Sequence, residues 1–134
     1  MLVIESGNEY LDKAEESLAG AESEFANSRY NNTANRAYYA CFQAAIHALI
    51  QAGIEPPGKK DQWGHDFVQA QFSGQLINSR KLYSRDLGQA IIQNYRLRQT
   101  ADYARDPVTE VRAARSVRRA EQFVNAVKQG VPQS

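Results

Sequence analysis

Apolar residues recur along this chain at alternating steps of three and four, the spacing that lays a stripe down one face of an α-helix. No segment alternates apolar and polar residues as a half-buried strand would, and no internal repeat competes. Leu11, Ala14, Leu18, Ala21 and Phe25 form the first stripe and predict a helix over about 8–27. Asn27, Ser28, Asn31 and Asn32 then supply turn and cap chemistry ahead of a second helix at about 33–52. Its inner face, Ala34, Ala37, Cys41, Ala44 and Ala48, is widened by Tyr38, Phe42, Ala45 and Leu49. So much alanine lets neighbouring helices approach closely, which marks this helix as the central one. Gly53 ends it, and Pro56, Pro57 and Gly58 make a loop.

The middle of the chain is less regular. A third helix is expected at about 61–72, with Trp63, Phe67, Ala70 and Phe72 inward and Gly74 after it. Residues 76–83 show no clear period and read as a short helical turn or an irregular connection. The pattern returns at about 86–103, where Leu87, Ala90, Ile91, Asn94, Leu97 and Ala101 share a face. Pro107 fits a loop or a first helical turn, Ala113, Val117, Ala120, Val124 and Val127 mark the last helix, and Gly130 and Pro132 stop it. The expected fold class is therefore all-α: an up-and-down bundle of about five helices, four of them long. At 134 residues it forms one domain over 1–134, with flexible ends at about 1–7 and 130–134.

Several function classes drop out early. Hydrophobic residues make up 43% and charged residues 23%, which fits neither a disordered tail nor a membrane protein. No apolar run approaches the roughly 20 residues of a spanning helix, and residues 1–7 lack a basic stretch of the kind that opens a signal peptide. A cytoplasmic location without membrane contact is the expectation. Cys41 is the only cysteine, so an internal disulfide or a cysteine-based metal site is excluded. Asp61 and His65 at i, i+4 are too few ligands for a metal centre, so no metal or cofactor is expected. Phosphate-loop, dinucleotide-binding and nucleophile-elbow signatures are all missing.

The net charge of +1 conceals an asymmetry. Residues 1–27 hold one lysine against seven acids, and everything after them balances to +7. A basic field of that kind suits either an ordinary solvated face or an anion-binding surface. Arg112, Arg115, Arg118 and Arg119 cluster in it at helical spacing, without interleaved aromatics for base stacking.

Polar residues interrupt the apolar face of the fourth helix. Asn94 sits inside the stripe and Arg98 lies one turn later on its edge. An arginine there needs an anion, which is either Asp102 four residues on or a ligand phosphate. On the second helix, Tyr38 belongs to the core with its hydroxyl hydrogen-bonded. Arg36 and Tyr39 form a patch that either braces another helix or lines a site, and Arg36 has Asp102 and Asn94 as candidate partners. His47 reads as structural, while His65 is the histidine a facing helix would bring near Arg98.

These patches carry a resemblance. Asn35-Arg36-Ala37-Tyr38-Tyr39-Ala40-Cys41-Phe42, followed some sixty residues later by Leu97-Arg98-Gln99-Thr100-Ala101-Asp102-Tyr103, resembles the HEPN family (higher eukaryote and prokaryote nucleotide-binding domain). Trp63-Gly64-His65 and the segment after it resemble the histidine-containing third helix of its small standalone branch. The likeness runs from Tyr10 to about Val127. It implies a homodimer that binds nucleotide or RNA phosphate in a shared cleft, paired with a small nucleotidyltransferase in a toxin–antitoxin-like system. Family ribonucleases use an R-x4-6-H motif, in which histidine takes a proton from a 2′-hydroxyl and arginine stabilises the charge growing on phosphate. By that likeness Arg98 is the motif arginine, Gln99 the polar residue after it, and Tyr103 stands where histidine would. A tyrosine, with reference pKa about 10, is a poor base at neutral pH. The leading expectation is therefore a binding protein using Arg98, Gln99, Asn94, Arg36, Tyr39 and His65. The alternatives are a metal-independent ribonuclease, in which Arg98 acts with Asp102, Tyr103 or His65, and a non-catalytic structural subunit in which Arg98 and Asp102 satisfy one another.

Overall fold

The computed structural model describes residues 8–58 and 62–130, and among these it holds five α-helices and no strand. The helices are α1 (Glu9–Ala26), α2 (Tyr30–Gln51), α3 (His65–Gln71), α4 (Arg85–Tyr103) and α5 (Glu110–Gln129), and a π-helical segment, Phe72–Ser79, continues α3. The all-α bundle read from the periodicity is the fold observed. Of the ends expected to be flexible, 1–7 and 130–134, all but Gly130 lie outside the described residues, as does Asp61.

α2 is the central helix, packed against α1, α3, α4, α5 and the π-helical segment. Its alanine face is the reason: Ala34, Ala37, Ala44, Ala45 and Ala48 are all buried, together with Cys41 and Leu49. Burial pushes the Cys41 thiol up to about 12, so it stays protonated and inert as a nucleophile. α2 begins three residues earlier than the asparagines suggest. Ser28 adopts a left-handed φ of +62° and reverses the chain within residues 27–29. Asn31 is thereby released from turn duty, and its Oδ1 accepts the Val108 N–H at 2.9 Å, tying the α4–α5 loop to the start of α2. Pro107 lies in that loop, and Thr109 caps α5 by accepting the Arg112 N–H at 3.2 Å.

The third helix departs most from expectation. It starts at His65, and at Phe72 it widens into the π-helical segment, which runs through Gly74 to Ser79. The wider turn moves the inward row to Val68, Phe72, Leu76 and Ile77, while Trp63 and Phe67 pack half-buried at its edge and Ala70 is exposed rather than inward. Phe72 meets Phe123 of α5 at a 5.0 Å centroid distance, which anchors this otherwise loosely patterned stretch in the core. Gly88 of α4 makes room for it, since a Cβ there would stand 2.9 Å from Ile77 Cδ1.

Candidate functional site

Three helices converge on Arg98. α4 contributes Arg98 and Tyr95, α2 contributes Tyr38, Tyr39 and Phe42 at the spacing that puts them on one side, and α3 contributes His65, its first residue. The guanidinium carbon of Arg98 lies 5.3 Å from the Tyr39 ring centroid and 5.8 Å from that of Tyr38, within the range where a cation is held by a π face. His65 packs among Phe42, Tyr38 and Tyr95 with ring centroids 4.8, 5.4 and 5.6 Å away. A hydrogen bond of 2.6 Å joins its Nδ1 to the Tyr38 hydroxyl. Gln69 Nε2 donates to the same hydroxyl at 3.4 Å.

Arg98 is neither sealed nor free. Its Nε stands 3.6 Å from Asp102 Oδ2, and the two side chains remain 21% and 33% exposed. That separation is too long for a hydrogen bond, and among the described residues the buried Nε has no hydrogen-bond partner. The internal pair therefore neutralises part of the charge without satisfying the donors, as a purely structural Arg98–Asp102 couple would have to do.

The remaining residues singled out from the sequence divide into two groups. Tyr39 and His65 join Arg98, with Asp102 at its rim. Gln99 and Tyr103 lie on the exposed side of the same helical turns, Tyr103 at 84% exposure. Asn94 and Arg36 do not belong to this surface. Asn94 is fully buried between α2 and α5, donating to the Ser116 carbonyl at 3.1 Å and accepting from Arg119 Nε at 2.7 Å. Arg36 lies along α1 against Gly20, and among the described residues no hydrogen bond or ion pair links it to Asn94 or Asp102. A face shared in projection was not enough to make contact, because α1 covers that side of α2. His47 is buried in α2, at the wall of a separate cavity of about 400 Å³ near Gln51 and Lys128. Tyr95 and Gln69 were not singled out. Tyr95, four residues after Ile91 and three before Arg98, carried a detectable signal as the flank of the stripe.

The electrostatics follow from this packing. Burial, reinforced by the Arg98 guanidinium and partly offset by Asp66, holds His65 below the ordinary histidine value of 6.5. Burial also drives the Tyr38 phenol well above its usual range, so it keeps its proton. His65 is thus expected to titrate below 6.5 by NMR, and Arg98→Gln to move it upward by removing one of the two depressing causes. Because the folded state resists the proton, His65 supports stability fully above pH 6.5, and that support fades as the pH falls through its lower native value. A native His65 titrating at or above 6.5 would contradict this account.

The chemistry assembled here is a partly exposed guanidinium on an aromatic platform beside a neutral imidazole, suited to holding a phosphate. Among the described residues no cluster of metal-ligating side chains accompanies it, and no helix is long and apolar enough to cross a membrane. A Methanocaldococcus jannaschii protein described as a candidate toxin is 33% identical to this chain over 124 residues, covering 90% of this chain and 85% of the relative. The HEPN domain matches residues 8–130, which include every helix described above, and with that match the chain belongs to the HEPN domain family.

Proposed function

We propose that this chain is a toxin-type HEPN subunit that binds a nucleotide or RNA phosphate beside Arg98, as a homodimer and in partnership with a small nucleotidyltransferase. The observation that carries the reading is Arg98 itself: one-fifth exposed, held over two tyrosine rings, and engaged within its own subunit only by a 3.6 Å ion pair to Asp102 among the described residues. The candidate-toxin description of the archaeal relative supports the toxin type. A dimer would supply the second wall of the cleft and bring two such arginines to one ligand. Tyr103, exposed on the last turn of α4, and Gln99 would then face the partner or the ligand.

A second reading, a metal-independent ribonuclease, is favoured by His65, since an imidazole below its ordinary value is neutral at pH 7 and free of its own positive charge. Its hydrogen bonds rank it second. An arrangement that places every proton has Gln69 donating to the Tyr38 hydroxyl and the phenol donating to His65 Nδ1, which leaves the imidazole proton on Nε2. In that state His65 offers an anion a donor, whereas a general base needs a lone pair.

The test is Arg98→Gln, measured with a labelled RNA oligonucleotide and with ATP at a protein concentration where sedimentation gives a dimer. Affinity is expected to fall about 10- to 100-fold, the worth of a charge-assisted hydrogen bond, while stability falls far less, because a partly exposed i, i+4 ion pair contributes only about 0.5 kcal/mol and the cation–π contact about 1 kcal/mol. Unchanged affinity would overturn the reading. Cleavage of the RNA in the presence of a chelator, lost in the same variant, would promote the ribonuclease.

A further inference from the structure

The opposite side of α4 presents a different chemistry. Arg96 is two residues from Arg98, which turns it about 200° around the helix and points it toward α5. There it meets Arg112, Arg115 and Arg119, whose spacing of three and four sets them on one face of α5. The four guanidiniums, with Gln93 and the buried side chain of Leu97, line an open cleft of about 230 Å³.

Two features separate this cleft from an ordinary solvated basic face. Among the described residues, no carboxylate lies within ion-pair distance of any of the four arginines; the ion pairs of the bundle involve Arg29, Arg98 and Lys128 instead. Arg119 is also held in place, not left to wave in solvent. Its Nε donates to Asn94 Oδ1 at 2.7 Å, and that amide is fixed in turn by the Ser116 carbonyl at 3.1 Å, inside the core. The fold thus spends a fully buried polar residue on holding one cation beside three others. Burial above all, with the repulsion of Arg115 and Arg112 as a lesser contribution, makes Arg119 less comfortable as a charge than a free arginine. Like charges concentrated without a counterion destabilise the free protein and reward any anion that enters.

We propose that the α4–α5 cleft is a second anion site, separate from the Arg98 cluster, that grips adjacent phosphoryl groups. Among the described residues no aromatic side chain lines it, so it reads phosphate and not base. Fork-shaped guanidiniums on two helices match the oxygens of neighbouring phosphoryl groups bidentately. Those groups belong either to an RNA backbone or to a free polyphosphate chain, and the chemistry is the same in both.

The experiment uses the full chain carrying Arg112→Gln with Arg115→Gln, and Arg118→Gln as the control. Arg118 is one residue from Arg119 but faces Glu22 and Glu121 across another groove. The probes are a fluorescent 12-nucleotide RNA and inorganic tripolyphosphate. In the double variant the affinity for at least one probe falls about tenfold at 0.1 M salt, against less than twofold for the control. The RNA salt slope flattens by about 1.4, from roughly 0.7 per phosphate contact on a single strand. Loss confined to RNA identifies the polynucleotide backbone as the source, loss confined to tripolyphosphate identifies a free polyphosphate, and loss of both identifies the shared chemistry; each supports the site. If neither probe weakens beyond the control, the proposal is overturned. The thermal midpoint gives an independent check. Relief of repulsion holds or raises it in the double variant, and a marked fall would overturn the claim that these charges are unpaired.

Discussion

Tyr38→Ala should cost about 3–5 kcal/mol of folding stability, the range for deleting a large aromatic from a packed core, read as a drop in the urea midpoint at unchanged slope. Tyr38 is fully buried, and its ring touches Tyr39, Phe42, His65 and Tyr95 while carrying one face of the Arg98 guanidinium. The same side chain therefore closes the core and builds the floor of the candidate site. Tyr38→Phe separates the two roles. It keeps the ring and removes only the hydroxyl that holds His65 Nδ1, so its cost should be about 1 kcal/mol. Nucleotide or RNA affinity should suffer more than stability in that variant, because His65 is released to rotate. A Tyr38→Ala protein as stable as the native chain would refute the packing described here. A Tyr38→Phe protein with unaltered His65 ring NMR chemical shifts would refute the hydrogen bond.

How much of this was legible in the sequence depends on whether a residue's role is set by its own helix or by a neighbouring one. Steps of three and four placed α1, α4 and α5 within a few residues, because burial of one face by a single partner layer dictates that period. The same logic failed at 72–79, where a π-helical turn changes the angle between successive side chains and erases the signal. It failed again wherever contact crosses between helices. Arg98 was identifiable as an arginine on the edge of an apolar stripe, and His65, thirty-three positions earlier, as a histidine a facing helix would bring near it, yet nothing in the spacing told that both would pack on Tyr38 and Tyr39, or that Arg36 would lie along α1. Arg112, Arg115 and Arg119 could be read as one helical face, but the amide that holds Arg119 comes from α4. Periodicity reports which side of a helix is buried; the identity of the partner belongs to tertiary packing.

Asn94 tests that distinction, because the residue expected at a ligand is found in the core. Asn94→Ala should cost about 3 kcal/mol. The charge-assisted bond to Arg119 contributes roughly 1.5–3 of that and the bond to Ser116 about 1, and a cavity adds to the loss where the side chain stood. Were Asn94 instead a ligand-facing residue, its removal would weaken binding at Arg98 and leave stability nearly intact, since an exposed polar side chain typically contributes within about 0.5 kcal/mol. Urea denaturation measured beside RNA binding separates the cases. The structural case also predicts which binding should change. Arg119 loses its only hydrogen-bond acceptor among the described residues, so the affinity of the α4–α5 cleft falls while the Arg98 cluster, built on Tyr38, Tyr39 and His65, keeps its own. Combined with Arg112→Gln and Arg115→Gln, the effect of Asn94→Ala on phosphate affinity should be less than additive, because the three substitutions act through one cleft.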